Sequence, residues 1–428
     1  VPTTKTLAFG DLIRHHRNKA GLSLSEFADI AKVNKGTISK IENGEVKKPE
    51  YRTIKILADA LQIPYDEYIP HYVEAELSPD VLTQILNDAI KDNRPQSLIS
   101  RISIKFLQSE RLDSYDATAQ LFETSREVTD SETKLTLLKT IINYSRGHGV
   151  MHFLARSLFQ EYLIERNDFS KLHDTYQSGK YILKYTELLP AGEYAQLLYR
   201  LAGHAYAIRK YSDSAKYCKI FLEISEQETN DLRVYAVDIL RGSYYHLGNY
   251  ELAEKYSSEY RKCSPSVEGE NDRLITAMLN GKRGNIELAI EQFDKCLQLC
   301  TDRFVVHTVN EYISLCFEYD HIVKIENLLV TYGRKIHAQI YTTPRERSEL
   351  ARFYKIKGDF YTQAESFNEA ISEYIEGAYA YACIDDIDSE RNCLRLVFQV
   401  SKKHNLTADV MDLIGDYYNR FKSTGGSI

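Results

Sequence analysis

The sequence predicts an all-α protein in two parts: a compact five-helix bundle over residues 1–70 and, after a linker at 71–79, a long array of paired helices over 80–428. Three observations predict it. Apolar residues recur at i, i+3 and i+4, and the period-two alternation of a half-buried strand is missing. Capping residues, glycines and prolines cut the N-terminal part into short helical segments. Beyond Asp80 a spacing of aromatic, glycine and alanine residues returns, with Ala215, Ala253 and Ala289 lying 38 and 36 residues apart.

The elements follow in order. Phe9 to Ala20 is the first helix, with Leu12, Ile13 and His16 inward and Arg14, Arg17 and Lys19 outward, and Gly21 stops it. Ser25 to Ala31 places Phe27, Ala28 and Ala31 on one face, and Val33 and Asn34 then make a tight turn. The Asn34 side chain is an N-cap for a third helix, Lys35 to Asn43, which buries Ile38 and Ile41 and is ended by Gly44 and Pro49. Tyr51 to Leu61 carries Ile54, Leu57, Ala58 and Leu61 on one stripe; Ile63-Pro64 closes it, and Tyr65 to Ile69 is the fifth helix. Pro70 to Pro79, acidic between its prolines, reads as the linker.

The third helix leaves Lys35, Gly36, Thr37 and Lys40 on its free face. Small and cationic residues there suit the major groove of DNA, where lysine and threonine reach phosphates or base edges and glycine lets the backbone come close. Lys47, Lys48 and Arg52 flank that helix at positions suited to the phosphate backbone. Charge agrees with this division of labour. The chain totals −7, yet residues 1–65 hold eleven Lys and Arg against seven Asp and Glu, so the rest carries −11. A basic head on an acidic body directs only the head towards DNA.

Leu22 to Pro49 resembles the helix-turn-helix of the Xre/phage-repressor family, matching it at Ala28, Ile38, Ser39, Ile41, Glu42, Gly44 and Pro49. Leu24 stands where the family has a phosphate-holding glutamine, and Lys32 where it has the glycine before the turn. These departures bear on one backbone contact and on the turn geometry.

In the body, Tyr199, Gly203, Tyr206 and Ala215 set a template that Tyr354, Gly358, Tyr361 and Ala370 repeat. Tyr244, Gly248, Tyr250 and Ala253 fit its second half, as do Gly284, Ile286, Ala289 and Phe293. This is the pattern of tetratricopeptide repeats, antiparallel helix pairs with glycine and alanine where two helices nearly touch. Roughly eight pairs stacked as a right-handed superhelix are expected, a surface made for gripping another chain. Counting from the template glycine, the groove-facing positions are Arg200, His204, Asp238, Tyr245, Asn271, Met278, Asn310, Ser314, Lys355 and Asp359. Asparagine can hold a peptide backbone with both donor and acceptor, and Arg200 or Lys355 can meet a carboxylate.

Enzyme signatures are missing: no P-loop, no His-Glu-x-x-His, no nucleophile elbow, and the twelve histidines are dispersed. No cofactor is expected. Seven cysteines, an odd number scattered among helical patterns, read as reduced thiols. Cys296 and Cys300, at i and i+4, read as small buried hydrophobes rather than metal ligands, since no partners accompany them. No apolar run approaches the ~20 residues that cross a bilayer, and the N-terminus lacks a signal-peptide layout, so a cytoplasmic protein is expected.

A helix-turn-helix head on such a body resembles the peptide-responsive regulators of Gram-positive bacteria and their phages, the Rap, Rgg, NprR, PlcR and PrgX group, and in length the NprR-like branch. The resemblance implies a cytoplasmic homodimer that binds a double-stranded DNA operator through its heads and a short signalling peptide in the groove of the repeats. A Rap-like module that sequesters a protein partner, or a peptide-independent phage-type repressor, are the alternatives.

Overall fold

The computed structural model describes residues 9–46, 48–75, 77–225, 231–263, 269–404 and 408–424, and among them helices are the only regular secondary structure. The chain divides into two compact units, residues 1–164 with 185–189, and residues 165–184 with 190–428.

The first unit opens with five helices, α1 (Phe9–Lys19), α2 (Leu24–Ala31), α3 (Lys35–Glu42), α4 (Tyr51–Ala60) and α5 (Tyr65–Tyr72). A capping box starts α2: Ser23 Oγ accepts from the Glu26 N–H, while the Glu26 carboxylate accepts from the Ser23 N–H. The Asn34 side chain accepts the Gly36 N–H at 2.7 Å and starts α3 as expected. Between them Lys32 takes the left-handed conformation, φ +55°, with its N–H on the Ala28 carbonyl. That region costs a non-glycine residue roughly 1–2 kcal/mol, of which glycine forfeits a part through its freedom in the unfolded chain. Lys32→Gly is therefore expected to stabilise the first unit by about 0.5–1 kcal/mol, read as a rise in its urea midpoint.

Gly10 lets α1 lie against the end of α3, because a Cβ there would sit 2.2 Å from the Ile41 carbonyl oxygen. The fifth helix runs on through Pro70, three residues beyond the expected end at Ile69. Proline removes one backbone donor there. Burial of Tyr72, whose hydroxyl donates to the Pro49 carbonyl at 2.7 Å, and of the following Val73 favours the extra turn.

Five more helices complete this unit: α6 (Pro79–Lys91), α7 (Gln96–Leu107), α8 (Ser114–Glu127), α9 (Ser131–His148) and α10 (Met151–Glu165). They share one core with the head, in which Phe27, Ile38 and Ile54 are continuous with Ile85, Ile99 and Leu137. Val73 and Leu77, within the stretch 71–79, are buried in it. Polar contacts reinforce the joint: Tyr51 Oη donates to Asp88 at 3.0 Å, Tyr65 Oη to the Ile85 carbonyl at 3.1 Å, and the Arg94 guanidinium lies 4.7 Å from the Tyr65 ring centre.

In the second unit α11 (Leu172–Ile182) precedes five antiparallel pairs: α12 (Ala191–Ala207) with α13 (Tyr211–Ile224), α14 (Asp231–His246) with α15 (Tyr250–Cys263), α16 (Glu270–Lys282) with α17 (Ile286–Leu299), α18 (Val305–Glu318) with α19 (Ile322–His337), and α20 (Pro344–Gln363) with α21 (Phe367–Ala382). Two further helices, α22 (Ile387–His404) and α23 (Ala408–Thr424), pack on α21. The first helix of each pair touches the first helix of the next, and α12 also touches α20, so the row of inner helices curls until its first and fifth members meet. The template glycines differ, and at Gly203 a Cβ would meet nothing closer than Ile239, at an ordinary 3.9 Å. Gly358 marks a close crossing, where a Cβ would lie 2.6 Å from the Tyr374 ring. Gly248 and Gly284 instead form turns at φ +75° and +82°, which corrects their reading as crossing points.

Candidate functional site

The first candidate site is the outer face of α3. Lys35, Gly36, Thr37 and Lys40 are exposed on it, while Ile38 and Ile41 are buried beneath. Lys35 Nζ donates to Ser25 Oγ at 2.9 Å, which ties the start of α3 to α2. Lys48 and Arg52 are also exposed; Lys47 lies outside the described residues. The helix is buttressed from behind in a way the periodicity did not reveal. Arg17, expected to point outward, turns in and grips the buried Glu42 carboxylate with two hydrogen bonds of 2.7 and 2.8 Å. Arg14 reaches the Glu42 carbonyl and the Asn43 side chain. Such a paired, planar contact fixes direction as well as distance. A rigid helix with a small, cationic free face can enter a major groove and present side chains to base edges.

The second candidate site is a groove within the second unit. Its walls come from the first helices of the pairs, α12, α14, α16, α18 and α20, as the repeat pattern predicts. Tyr206, Tyr211, Tyr245 and His246 form an aromatic side. The wider end encloses about 430 Å³, within the range of ligand pockets. Most charges in it are paired. Arg352 bridges Glu311 and Glu349, and Lys282 meets Glu318. Burial alone would raise the Glu349 carboxyl, but Arg352, the Asn310 amide and Arg209 hold it down at about 2. Burial, aided by Arg345, pushes His307 down to about 4 and leaves it neutral. Two guanidiniums are different. Arg209 donates to Ser348 Oγ and Tyr381 Oη at 3.1 Å each, and Arg345 makes a 3.4 Å contact with Asn271 and lies over the Tyr206 ring. Neither touches a carboxylate among the described residues, although Glu349 acts on both from beyond ion-pairing distance.

Five of the ten positions expected to face the groove do so: Asp238, Tyr245, Asn271, Met278 and Ser314. Asn271 donates to Asp238 at 2.6 Å, and Ser314 accepts from Arg352 at 2.9 Å. The other five lie elsewhere. His204 is buried with Nε2 2.9 Å from the Leu172 carbonyl, and burial pushes it down to about 4. Asn310 is fully buried; its amide donates to the Glu349 backbone and carboxylate, so it positions Glu349 instead of facing the groove. Arg200 is half-buried with its guanidinium 5.6 Å from the Tyr199 ring, and Lys355 and Asp359 are tied to each other at 2.6 Å. Arg209 and Arg345 escaped the counting scheme for separate reasons. Arg209 sits in the turn after α12 at φ +59°, and Arg345 lies at the start of α20, which at 20 residues outruns the repeat template. For Arg345 the available signal was the charged run Pro344 to Arg352, three arginines against two glutamates; for Arg209 there was none.

Residues 13–68 match the model of a helix-turn-helix family. The HTH-type transcriptional repressor RghR of Bacillus subtilis is 31% identical over 112 residues, which are 24% of this chain and 83% of that protein. The chain belongs to the HTH-type transcriptional regulators. The regulator also resembles, at 14% identity and a TM-score of 0.49, a tetratricopeptide repeat protein from Parabacteroides merdae, over 66% of its own length and 98% of that chain. A Rap protein solved with competence and sporulation factor aligns at 12% identity and a TM-score of 0.38, over 80% of the regulator and 99% of that chain. Its family makes the regulator a DNA-binding protein rather than an enzyme. No helix among its described residues is long and apolar enough to cross a membrane.

Proposed function

We propose that the protein is a cytoplasmic transcriptional regulator whose operator binding is controlled by a short linear peptide held in the groove of its second unit. In this reading residues 1–70 read DNA and 80–428 receive the peptide. Lys35, Gly36, Thr37 and Lys40 meet base edges and nearby phosphates, with Lys47, Lys48 and Arg52 on the backbone. It works as a homodimer, each head taking one half-site, with half-site centres ~34 Å or a multiple of it apart.

The observation that carries the peptide reading is the pair Arg209 and Arg345, guanidiniums in the field of Glu349 but in direct contact with no carboxylate among the described residues, beside an aromatic wall. A peptide's terminal carboxylate would complete them through charge-assisted hydrogen bonds. The second Asn271 amide N–H is a donor for the peptide backbone and the remaining Ser314 lone pair an acceptor, and Tyr206, Tyr211 and Tyr245 offer apolar surface with polar tips. A ligand moves operator affinity only as far as it prefers one conformation of the protein, so tight binding alone does not amount to control.

The test uses synthetic peptides of five to eight residues drawn from the C-terminus of any small reading frame beside the gene. A peptide with a free carboxylate is expected to bind and to change operator affinity. Amidation of its C-terminus, or Arg209→Ala, should weaken binding about tenfold or more. Calorimetry in which the amide binds as well as the acid rejects the carboxylate contact. Peptide binding that leaves operator affinity unchanged rejects the control.

A further inference from the structure

We infer that the outer face of α19 is where a second copy of this chain docks, its own α19 lying antiparallel across a two-fold axis at Val330. The inference deepens the homodimer reading proposed above and rests on it. Val323, Val330 and Ile340 are 74%, 75% and 78% exposed, the three most exposed large apolar side chains among the described residues, and all lie within α19 or just past its end. One exposed apolar residue is ordinary, whereas three in one short segment mark a surface that another protein covers. The opposite side of the helix does the packing within the chain, through the buried Ile325, Leu328, Leu329 and Ile336. Val323 and Val330 are two helical turns apart on the outer side, and the exposed Glu326, Arg334 and His337 fall on the same stripe.

The charges on that stripe identify the occupant. Lys324 and Lys335, on the flanks of α19, are tied to aspartates of their own chain, Asp294 at 3.0 Å and Asp302 at 2.7 Å. Glu326 and Arg334 have no ion pair and no side-chain hydrogen bond among the described residues. They stand four residues before and four residues after Val330, with opposite signs. A two-fold axis exchanges those two heights, about 6 Å on either side of Val330, so Glu326 of one copy meets the partner's Arg334 and the reverse pair forms at the other end. Val330 then faces its own counterpart on the axis, and Val323 faces the partner's His337, with the partner's Ile340 just beyond. Were the two helices parallel, the same charges would meet themselves and repel, so the pattern selects the antiparallel arrangement. Self-complementarity of this kind is what an isologous contact requires and what an unrelated partner does not. One pair of helices buries area at the low end of interface sizes, so the contact is weak alone and gains from two half-sites on one duplex.

Sedimentation velocity of the full chain over about 1–200 μM tests this, and the parent is expected to dimerise within that range. Val330→Glu, Glu326→Arg and Arg334→Glu, all at exposed positions that burden folding little, should each weaken dimerisation about tenfold or more. The first sets two carboxylates on the axis, and the others set like charges opposite each other at both ends. An equimolar mixture of Glu326→Arg and Arg334→Glu should recover the parent's affinity, because each end then joins an arginine to a glutamate again. A substitution that acted only on its own chain's fold would show no such recovery. Dimers that all three variants leave intact, or a mixture that stays monomeric, overturn this docking while the homodimer reading stands. A parent that remains monomeric throughout overturns it as well and leaves the stripe to a different protein. If that parent also binds a duplex with two half-sites as a single chain, the homodimer reading falls with it.

Discussion

Replacing Lys35 and Lys40 together with alanine is expected to remove operator-specific binding while leaving the helical content of the protein unchanged. Both side chains are exposed, and beneath them Ile38 and Ile41 carry the packing of α3. The one bond lost, Lys35 to Ser25, is a surface contact worth under about 1 kcal/mol. On DNA each lysine is assigned a direct contact worth about 1–3 kcal/mol, so the pair should cost roughly 2–6 kcal/mol, at least thirtyfold in affinity. Arg52→Ala should behave differently. It would weaken binding to all sequences alike and reduce the salt slope by about one unit, because a phosphate contact carries no sequence information. Anisotropy titrations of a selected operator and a scrambled duplex, each at several salt concentrations, separate the two. If the double variant keeps its preference for the operator, the outer face of α3 is not the reading surface.

The head was legible because its signals are local. Asn34 caps α3, the spacing of Ile38 and Ile41 gives its buried face, and Gly44 and Pro49 limit its length, all within sixteen residues. The role of Arg17 was not, because a helical wheel assigns a face to a Cα and cannot foresee a long side chain folding back to a carboxylate 25 residues away. The run through Pro70 was hidden for a related reason: local propensity ends the helix, and burial of Tyr72 and Val73 extends it. In the body, repeat spacing identified the inner helices but not all the inward side chains. Counting from a glycine assumes helices of equal length and contributions from helices alone. The 20-residue α20 breaks the first assumption, and Arg209, in its left-handed turn, breaks the second. Asn310 shows the opposite error, a position at the right register that inter-helix packing has claimed for Glu349.

Arg241→Ala is expected to destabilise the second unit by about 3–5 kcal/mol, the largest stability change foreseen for a single substitution here. The Arg241 guanidinium is fully buried between Asp238, at 2.6 and 2.9 Å, and Asp272, at 2.5 Å, with the Tyr260 ring centre 3.9 Å away. Truncation leaves two carboxylates facing a void, with Asn271 and the half-exposed Arg261 as their remaining partners. The cost comes chiefly from stranding those charges and less from losing a favourable pair, and a second variant makes that distinction measurable. Arg241→Met with Asp238→Asn and Asp272→Asn removes the cation and both anions together while keeping similar volumes. Asn271 can still donate to the new amide oxygen at 238, and Arg261 can turn to water at little cost. This triple variant should therefore lie within about 2 kcal/mol of the parent. Hydrogen exchange of the α14 and α16 amides reads the opening free energy at the network itself, without assuming that the whole chain unfolds in one step. A loss below about 1 kcal/mol for Arg241→Ala would show that water reaches these carboxylates. A triple variant as unstable as the single one would show that the network contributes attraction in its own right, and that its charges are retained for stability and not only for their place in the wall of the groove.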